Sequence, residues 1–361
     1  MNLPQPIRLL VIKPSALGDV VQTVGVTRAL KERIPQVEIG WVVSRAFAEL
    51  LPPLSFLAHV HVFERDAFRG VGGAWRGPHE LLRLGRELRA IHYDTALDFQ
   101  GLLRSGCIAR LSGAARRIGF RSAREGAPLF YTHKVDVPPS IVHAVDRYLH
   151  LASALCAVPL TMGATGLETT PEETRVMREL LSVKGIPSAA CFFVLCPGAS
   201  AASKRWPPER WSELARRLSG HGVRVVVAGS NAERALCQRI VTDTKGTVSV
   251  AGETPLRILA ALMRSASLAI CNDSGAMHIA WAQGCPLVAL FGVSLPERTG
   301  PYGMREAVVR GAHLCHPSQY RHVHDDRFMR DIDVDHVYAH ALKALNTGAT
   351  GADNARSGHK E

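Results

Sequence analysis

Asn272-Asp273-Ser274-Gly275, with His278 one turn further on, places a carboxylate, a hydroxyl and a flexible turn at the end of the apolar run Ala269-Ile270-Cys271. Two roles are open to this stretch. Asp and Ser are residue types that cap helices, and the unpaired N–H groups of a helix starting at Gly275 also bind phosphate. A second polar stretch, Pro197-Gly198-Ala199-Ser200 followed by Lys204-Arg205-Trp206-Pro207, sets small residues that let backbone approach an anion beside two cations. A third, Gly229-Ser230-Asn231-Ala232-Glu233, is a polar turn into another helix. Far upstream, Lys13-Pro14-Ser15-Ala16-Leu17-Gly18-Asp19 puts Asp19 just beyond a strand, as a helix cap or as a general base.

The elements that must position these groups read as α/β. Short apolar runs at 7–13, 38–43, 59–63 and 95–99 are expected strands, separated by helical patterns that include 78–91, and a helix over 141–157 closes the first half. The grammar restarts with expected strands at 191–196, 223–228, 248–250 and 269–271, then 286–291, with helices over 171–183 and 206–219 and from 255 and 275. Pro159, Gly163, Gly166, Pro171, Gly185 and Pro187 make 158–190 the breaker-rich link. The expected division is therefore 1–165 and 166–346, each a doubly wound half, with a small and polar tail over 347–361 expected to be disordered. Four strand ends of the second half, at 197–204, 229–233, 251–254 and 272–278, converge on one edge of a parallel sheet, where a nucleotide is expected.

The 361 residues suffice for two cores. No apolar run reaches the roughly 18 residues that span a bilayer, and the N-terminus enters a strand without a cleavable leader, so a cytoplasmic protein is expected. Eight cysteines occur singly, without a C-x-x-C pair, and are expected as reduced thiols. The net charge of +11 is concentrated early: residues 1–160 hold 20 Lys/Arg against 13 Asp/Glu, and Arg104 to Arg124 contains six arginines and no acid. Such a field suits an anionic partner, whether nucleic acid, membrane or phosphorylated substrate. Aromatic residues are only 6%, and no RNP-like or helix-turn-helix pattern occurs, which disfavours nucleic acid. G-x-G-x-x-G is absent, which argues against a dinucleotide site.

Taken in order, Lys13 to Asp19, Pro197 to Ser200 with Lys204 to Pro207, and Asn272 to Gly275 with His278 resemble the heptosyltransferases of lipopolysaccharide assembly, glycosyltransferase family nine. Asp98-Phe99-Gln100-Gly101-Leu102, Ser122-Ala123-Arg124-Glu125 and Phe130-Tyr131 resemble the heptosyltransferase I branch in particular. The resemblance spans roughly residues 7–345. It implies the GT-B architecture, two Rossmann-like doubly wound domains facing a central cleft, with acceptor bound by the first and nucleotide sugar by the second. It further implies inverting, metal-independent transfer of heptose from ADP-heptose to Kdo of Kdo-lipid A at the inner face of the cytoplasmic membrane, without a cofactor.

The matching residues are Asp19 as base, Lys204 at the diphosphate, and Ser200, Asp273, Ser274, Gly275 and His278 at the donor. Glu233 matches more loosely as a ribose contact. Arg121 and Arg124 fall in the acceptor half, where guanidinium forks suit phosphates and carboxylates. The segment His313-Leu314-Cys315-His316 with His322 and His324 lacks an ordered zinc-ligand spacing, so no metal is assigned. Three alternatives stay open: another sugar or acceptor within the family, a basic nucleic-acid-binding or regulatory module on the same shell, and a sugar epimerase.

Overall fold

In a computed structural model the chain is described at residues 7–52, 54–70, 72–156, 158–163, 167–242, 244–313 and 323–344. The tail over 347–361 and the segment containing Leu314, Cys315, His316 and His322 lie outside the described residues. Contacts divide the chain into two compact units, one through Glu168 and one from Thr169.

The first unit carries β1 (Arg8–Ile12), β2 (Glu38–Ser44), β3 (His59–Phe63), β4 (Thr95–Asp98), β5 (Arg116–Phe120) and β6 (His133–Val135). They form one sheet in the order β3-β2-β1-β4-β5-β6, and every adjacent pair is parallel. Leu10, Ile12, Val42, Leu84, Leu88 and Ile108 are among the side chains of a core between this sheet and its helices. Strands covered on both faces need apolar residues at nearly every position, which is why β1 and β2 read as continuous runs rather than alternating ones.

The second unit repeats the plan with β7 (Phe192–Cys196), β8 (Arg224–Val227), β9 (Thr247–Ser249), β10 (Leu268–Asn272), β11 (Leu287–Phe291) and β12 (Val308–Arg310). Its order is β12-β11-β10-β7-β8-β9, again all parallel, so each unit winds outward from its first strand in the same sense. Its core includes Trp206 and Trp211, whose rings meet edge to face at 5.1 Å. The Trp206 indole donates to the carbonyl of Ile332 at 2.8 Å, tying the segment after β7 to the C-terminal stretch.

Local chemistry sets the helix starts. Thr170 accepts from the Glu173 N–H at 3.2 Å while Glu173 accepts from the Thr170 N–H at 2.8 Å, a reciprocal cap before the helix Pro171–Val183. The helix expected over 78–91 begins earlier, at Gly73, with Pro78 inside it. The helix expected over 141–157 is shorter, Ala144–Ser153, and opens on the His143 ring, which accepts the Val145 N–H.

Candidate functional site

In an open parallel sheet a ligand crevice forms where neighbouring strands send their connections in opposite directions, at the strands' carboxyl ends. That point lies between β1 and β4 in the first unit and between β7 and β10 in the second. The polar stretches singled out in the sequence follow these four strands: Lys13 to Asp19 after β1, Gln100 to Arg104 after β4, Pro197 to Ser200 after β7, and Asp273 to Gly275 after β10.

In the second unit Cys271 of β10 is in register with Cys196 of β7, so the two turns emerge side by side. Asn272 is fully buried and joins them: its amide donates to the Pro197 carbonyl at 2.7 Å, and its oxygen accepts the Trp206 N–H at 3.3 Å. Beside it the Lys204 ammonium lies 2.6 Å from Asp273 Oδ2, and Ser294, arriving after β11, donates its hydroxyl to the same oxygen. Asp273 is therefore committed to aiming a cation, and it does not cap the helix that follows.

Ser274 precedes the helix Gly275–Ala282 but makes no side-chain cap, and its buried hydroxyl has no partner among the described residues. A helix start whose N–H groups lack a protein cap, with a lysine alongside, is a binding arrangement for an anion. His278 is buried within the first turns of that helix, while Ser200 is exposed. Glu233 reaches over from the turn after β8. Its Oε2 accepts from both the Ser230 N–H and the Ser230 hydroxyl, at 2.7 and 2.8 Å. A Cβ at Gly198 would stand 1.9 Å from Glu233 Oε1, so the carboxylate occupies the space that glycine leaves beside the β7 turn.

In the first unit Asp19 stands in the first turn of the helix Leu17–Arg33. Its Oδ2 accepts the Ala16 N–H at 3.3 Å, the capping role its residue type suggests, yet 34% of the side chain stays accessible. Lys13 is almost fully buried, with its ammonium 3.5 Å from Asp19 Oδ2 and 3.4 Å from the Phe99 carbonyl. Burial pushes the Lys13 ammonium down from its usual range, and the charges of Asp19 and Asp98 pull it back up. Asp98, wholly enclosed, receives the Tyr131 hydroxyl at 2.6 Å and the N–H groups of Gln100 and Gly101 at 2.8 and 3.1 Å. Its carboxyl is raised by burial, against which those hydrogen bonds act. Tyr148 donates to Asp19 Oδ1 at 2.9 Å.

The arginine-rich segment divides by role. Arg116 reaches the Ala154 carbonyl, and Arg117 reaches the carbonyls of Phe130 and Ala114, so both are spent on backbone. Arg121 shares its Nε–H between the two carboxylate oxygens of Asp136, at 2.8 and 2.9 Å, exposed to solvent. Arg124 is exposed, and its backbone N–H binds the Gly101 carbonyl at 3.0 Å, holding it beside the β4 turn. Two contributors escaped the sequence reading, Tyr148 and Ser294. They lie 129 and 21 residues from the carboxylates they serve, and neither belongs to a local motif.

The family model for glycosyltransferase family 9 (heptosyltransferase) matches residues 81–326. A lipopolysaccharide heptosyltransferase 1 of Pseudomonas aeruginosa is 29% identical over 342 residues, covering 90% of this chain and 91% of the relative. A lipopolysaccharide heptosyltransferase 2 of Salmonella typhimurium is 30% identical over 315 residues, covering 84% and 88%. The solved structure of Escherichia coli ADP-heptose lps heptosyltransferase II superposes with a TM-score of 0.78 at 25% identity, over 95% of this chain and all of that one. Its likeness extends over both doubly wound units, the GT-B architecture. With a family match over residues 81–326 and relatives aligned over most of their length, the chain belongs to glycosyltransferase family 9, the heptosyltransferases.

Proposed function

We propose that the protein transfers heptose from ADP-L-glycero-D-manno-heptose to a Kdo residue of the lipopolysaccharide inner core. The observation that carries this is the division of labour between two switch-point sites. One offers an uncapped helix start with Lys204, and the other offers an accessible carboxylate, Asp19. The donor's diphosphate would lie at the N–H groups of the helix starting at Gly275, near Ser200 and Ser274, with His278 behind. Glu233 would accept ribose hydroxyls. In the reaction the acceptor hydroxyl attacks C1 of the heptose as the bond from C1 to the β-phosphate oxygen breaks. The hydroxyl proton passes to Asp19, ADP departs, and the anomeric centre inverts. Lys204, held on Asp273, offsets the charge that develops on ADP, a role a fixed cation performs without a metal ion.

A general base contributes about 10²- to 10⁴-fold. Asp19→Ala is accordingly expected to lower kcat by about that factor while leaving ADP-heptose affinity within two-fold. Full turnover by this variant would remove Asp19 from the base role. The reaction itself is tested by incubating the purified protein with ADP-heptose and Kdo-lipid A and following ADP. Release that needs both substrates supports transfer, whereas donor conversion without acceptor favours the epimerase reading.

An acceptor embedded in lipid requires an enzyme that works at a membrane surface, and the carboxyl rim of the first unit supports this reading. Trp75, Leu103, Leu129 and Val142 are exposed there, close in sequence to Arg69, Arg76, Arg104, Arg121 and Arg124. Arg104 stacks on Phe68 at 5.2 Å, and the Leu103 N–H binds Glu125 at 3.3 Å, so the loops after β3, β4 and β5 are joined along this rim. Apolar and aromatic residues among cations suit an anionic bilayer surface. No helix among the described residues is long and apolar enough to cross a membrane.

A further inference from the structure

Asp19 is held by two groups that belong to no motif of the turn it occupies. The Tyr148 hydroxyl, from the helix Ala144–Ser153, donates to Oδ1 at 2.9 Å. The Lys13 ammonium lies 3.5 Å from Oδ2 and at the same time 4.9 Å from the centre of the Tyr148 ring. Each of the three side chains thus touches the other two, and Tyr148 and Lys13 are almost wholly buried while Asp19 is not. Phe99 closes the arrangement from the β4 side, with its ring edge-on to Tyr148 at 5.5 Å and its carbonyl 3.4 Å from the lysine nitrogen.

We propose that Tyr148, seated on the Lys13 ammonium, is a positioning residue for the base: it fixes the Asp19 carboxylate in one orientation and leaves an outward lone pair for the acceptor hydroxyl. This rests on the reading of Asp19 as the general base. A carboxylate on a helix's first turn has free rotation about two side-chain bonds, and the N–H of Ala16 alone constrains only one oxygen. The phenol takes the other oxygen, so both are fixed from the protein side. Lys13 sets a buried ammonium 3.5 Å from Oδ2, a second contact on that oxygen. The same charge holds the aromatic ring against rotation of its hydroxyl away from Asp19. Tyr148 contacts no reacting atom and acts only through Asp19.

Tyr148→Phe tests this because it keeps the ring and its contact with Lys13 and removes only the hydroxyl. The expected result is a kcat about ten-fold lower, from loss of one hydrogen bond to a charged group. KM for donor and acceptor is expected within about two-fold of wild type, since a positioning defect acts after both are bound. ADP binding measured by calorimetry and the thermal midpoint are expected to be unchanged. A kcat at the wild-type level overturns the proposal, and so does a loss carried by KM, or one accompanied by a lowered thermal midpoint, which marks a merely structural role. Asp19→Asn is measured in parallel. Wild-type turnover there defeats the base reading itself, whereas an inactive Asp19→Asn beside a fully active Tyr148→Phe defeats only the positioning role.

Discussion

At the scale of single residues, neither polar side chain of the turn after β10 does what its type suggests. Asp273 and Ser274 have the composition of a helix cap, but Asp273 spends its Oδ2 on Lys204 and Ser294, and the Ser274 hydroxyl has no partner among the described residues. Lys204→Met should therefore weaken ADP-heptose binding, by about 10-fold or more for loss of a charge-assisted contact, and also lower kcat. Calorimetric titration with ADP and steady-state assays measure the two separately, and an unchanged affinity would detach Lys204 from the diphosphate. Gly198 offers a second test. A methyl there would fall 1.9 Å from Glu233 Oε1, so Gly198→Ala must displace that carboxylate. If Glu233 contacts the ribose, Gly198→Ala and Glu233→Gln lower donor affinity by similar factors, and the double variant is no worse than either.

At the scale of elements, nine of the twelve strands among the described residues were legible, outer ones such as β3 and β8 included, and β5, β6 and β12 were not. β1, β7 and β10 are apolar at all but one position at most, and they and β4 stop at polar turns. β6 and β12 have only three residues each, too few to show a period, whereas β9, equally short, was expected at 248–250, within a residue of where it lies. β5 was hidden differently: Arg116-Arg117-Ile118-Gly119-Phe120 opens with two arginines that read as surface, and their guanidiniums turn out to bind backbone carbonyls. β3 carries a consequence for stability. His61 is buried between the Glu87 carboxylate, 2.5 Å from Nδ1, and the Tyr93 hydroxyl, 2.7 Å from Nε2. Burial lowers its pKa from the usual 6.5, Glu87 pulls the other way, and His59 and Arg83 add to the lowering. A histidine depressed in the folded state binds fewer protons than the unfolded chain. Its contribution is therefore present above about pH 6.5 and is lost as the pH falls below that value. Thermal melts between pH 7.5 and 5.5 should show a falling midpoint, with a smaller fall in His61→Gln. Equal falls in both proteins would place the pH dependence elsewhere.

At the scale of the molecule, the chain holds two units of one topology, each with a cluster of polar groups at the same point of its sheet. That repetition was visible in the restart of the strand and turn grammar near residue 191. The membrane-surface reading also belongs to this scale. Of the five tryptophans, Trp41, Trp206, Trp211 and Trp281 are buried and Trp75 is 85% exposed. Intrinsic fluorescence that responds to a surface event therefore reports on Trp75. Vesicles containing anionic lipid should shift the emission to the blue, weakly or not at all in zwitterionic vesicles, and the shift should weaken with salt. Trp75→Ser should abolish the shift and leave activity on a soluble, deacylated acceptor unchanged. No shift with anionic vesicles would remove this rim from the membrane.

What the sequence determined by itself was the class of architecture and the polar turns at strand ends. Buried parallel strands must be apolar throughout, and the turns that leave them must supply polar groups, so both are written locally. What only the tertiary structure decided was which polar groups act on one another. Tyr148 reaches Asp19 across 129 residues, Ser294 reaches Asp273 from the turn after the next strand, and Arg116 and Arg117 are consumed by carbonyls. Hydrogen bonds depend on positions in space to within a few tenths of an ångström. Chain spacing carries no such information once two residues lie on different elements.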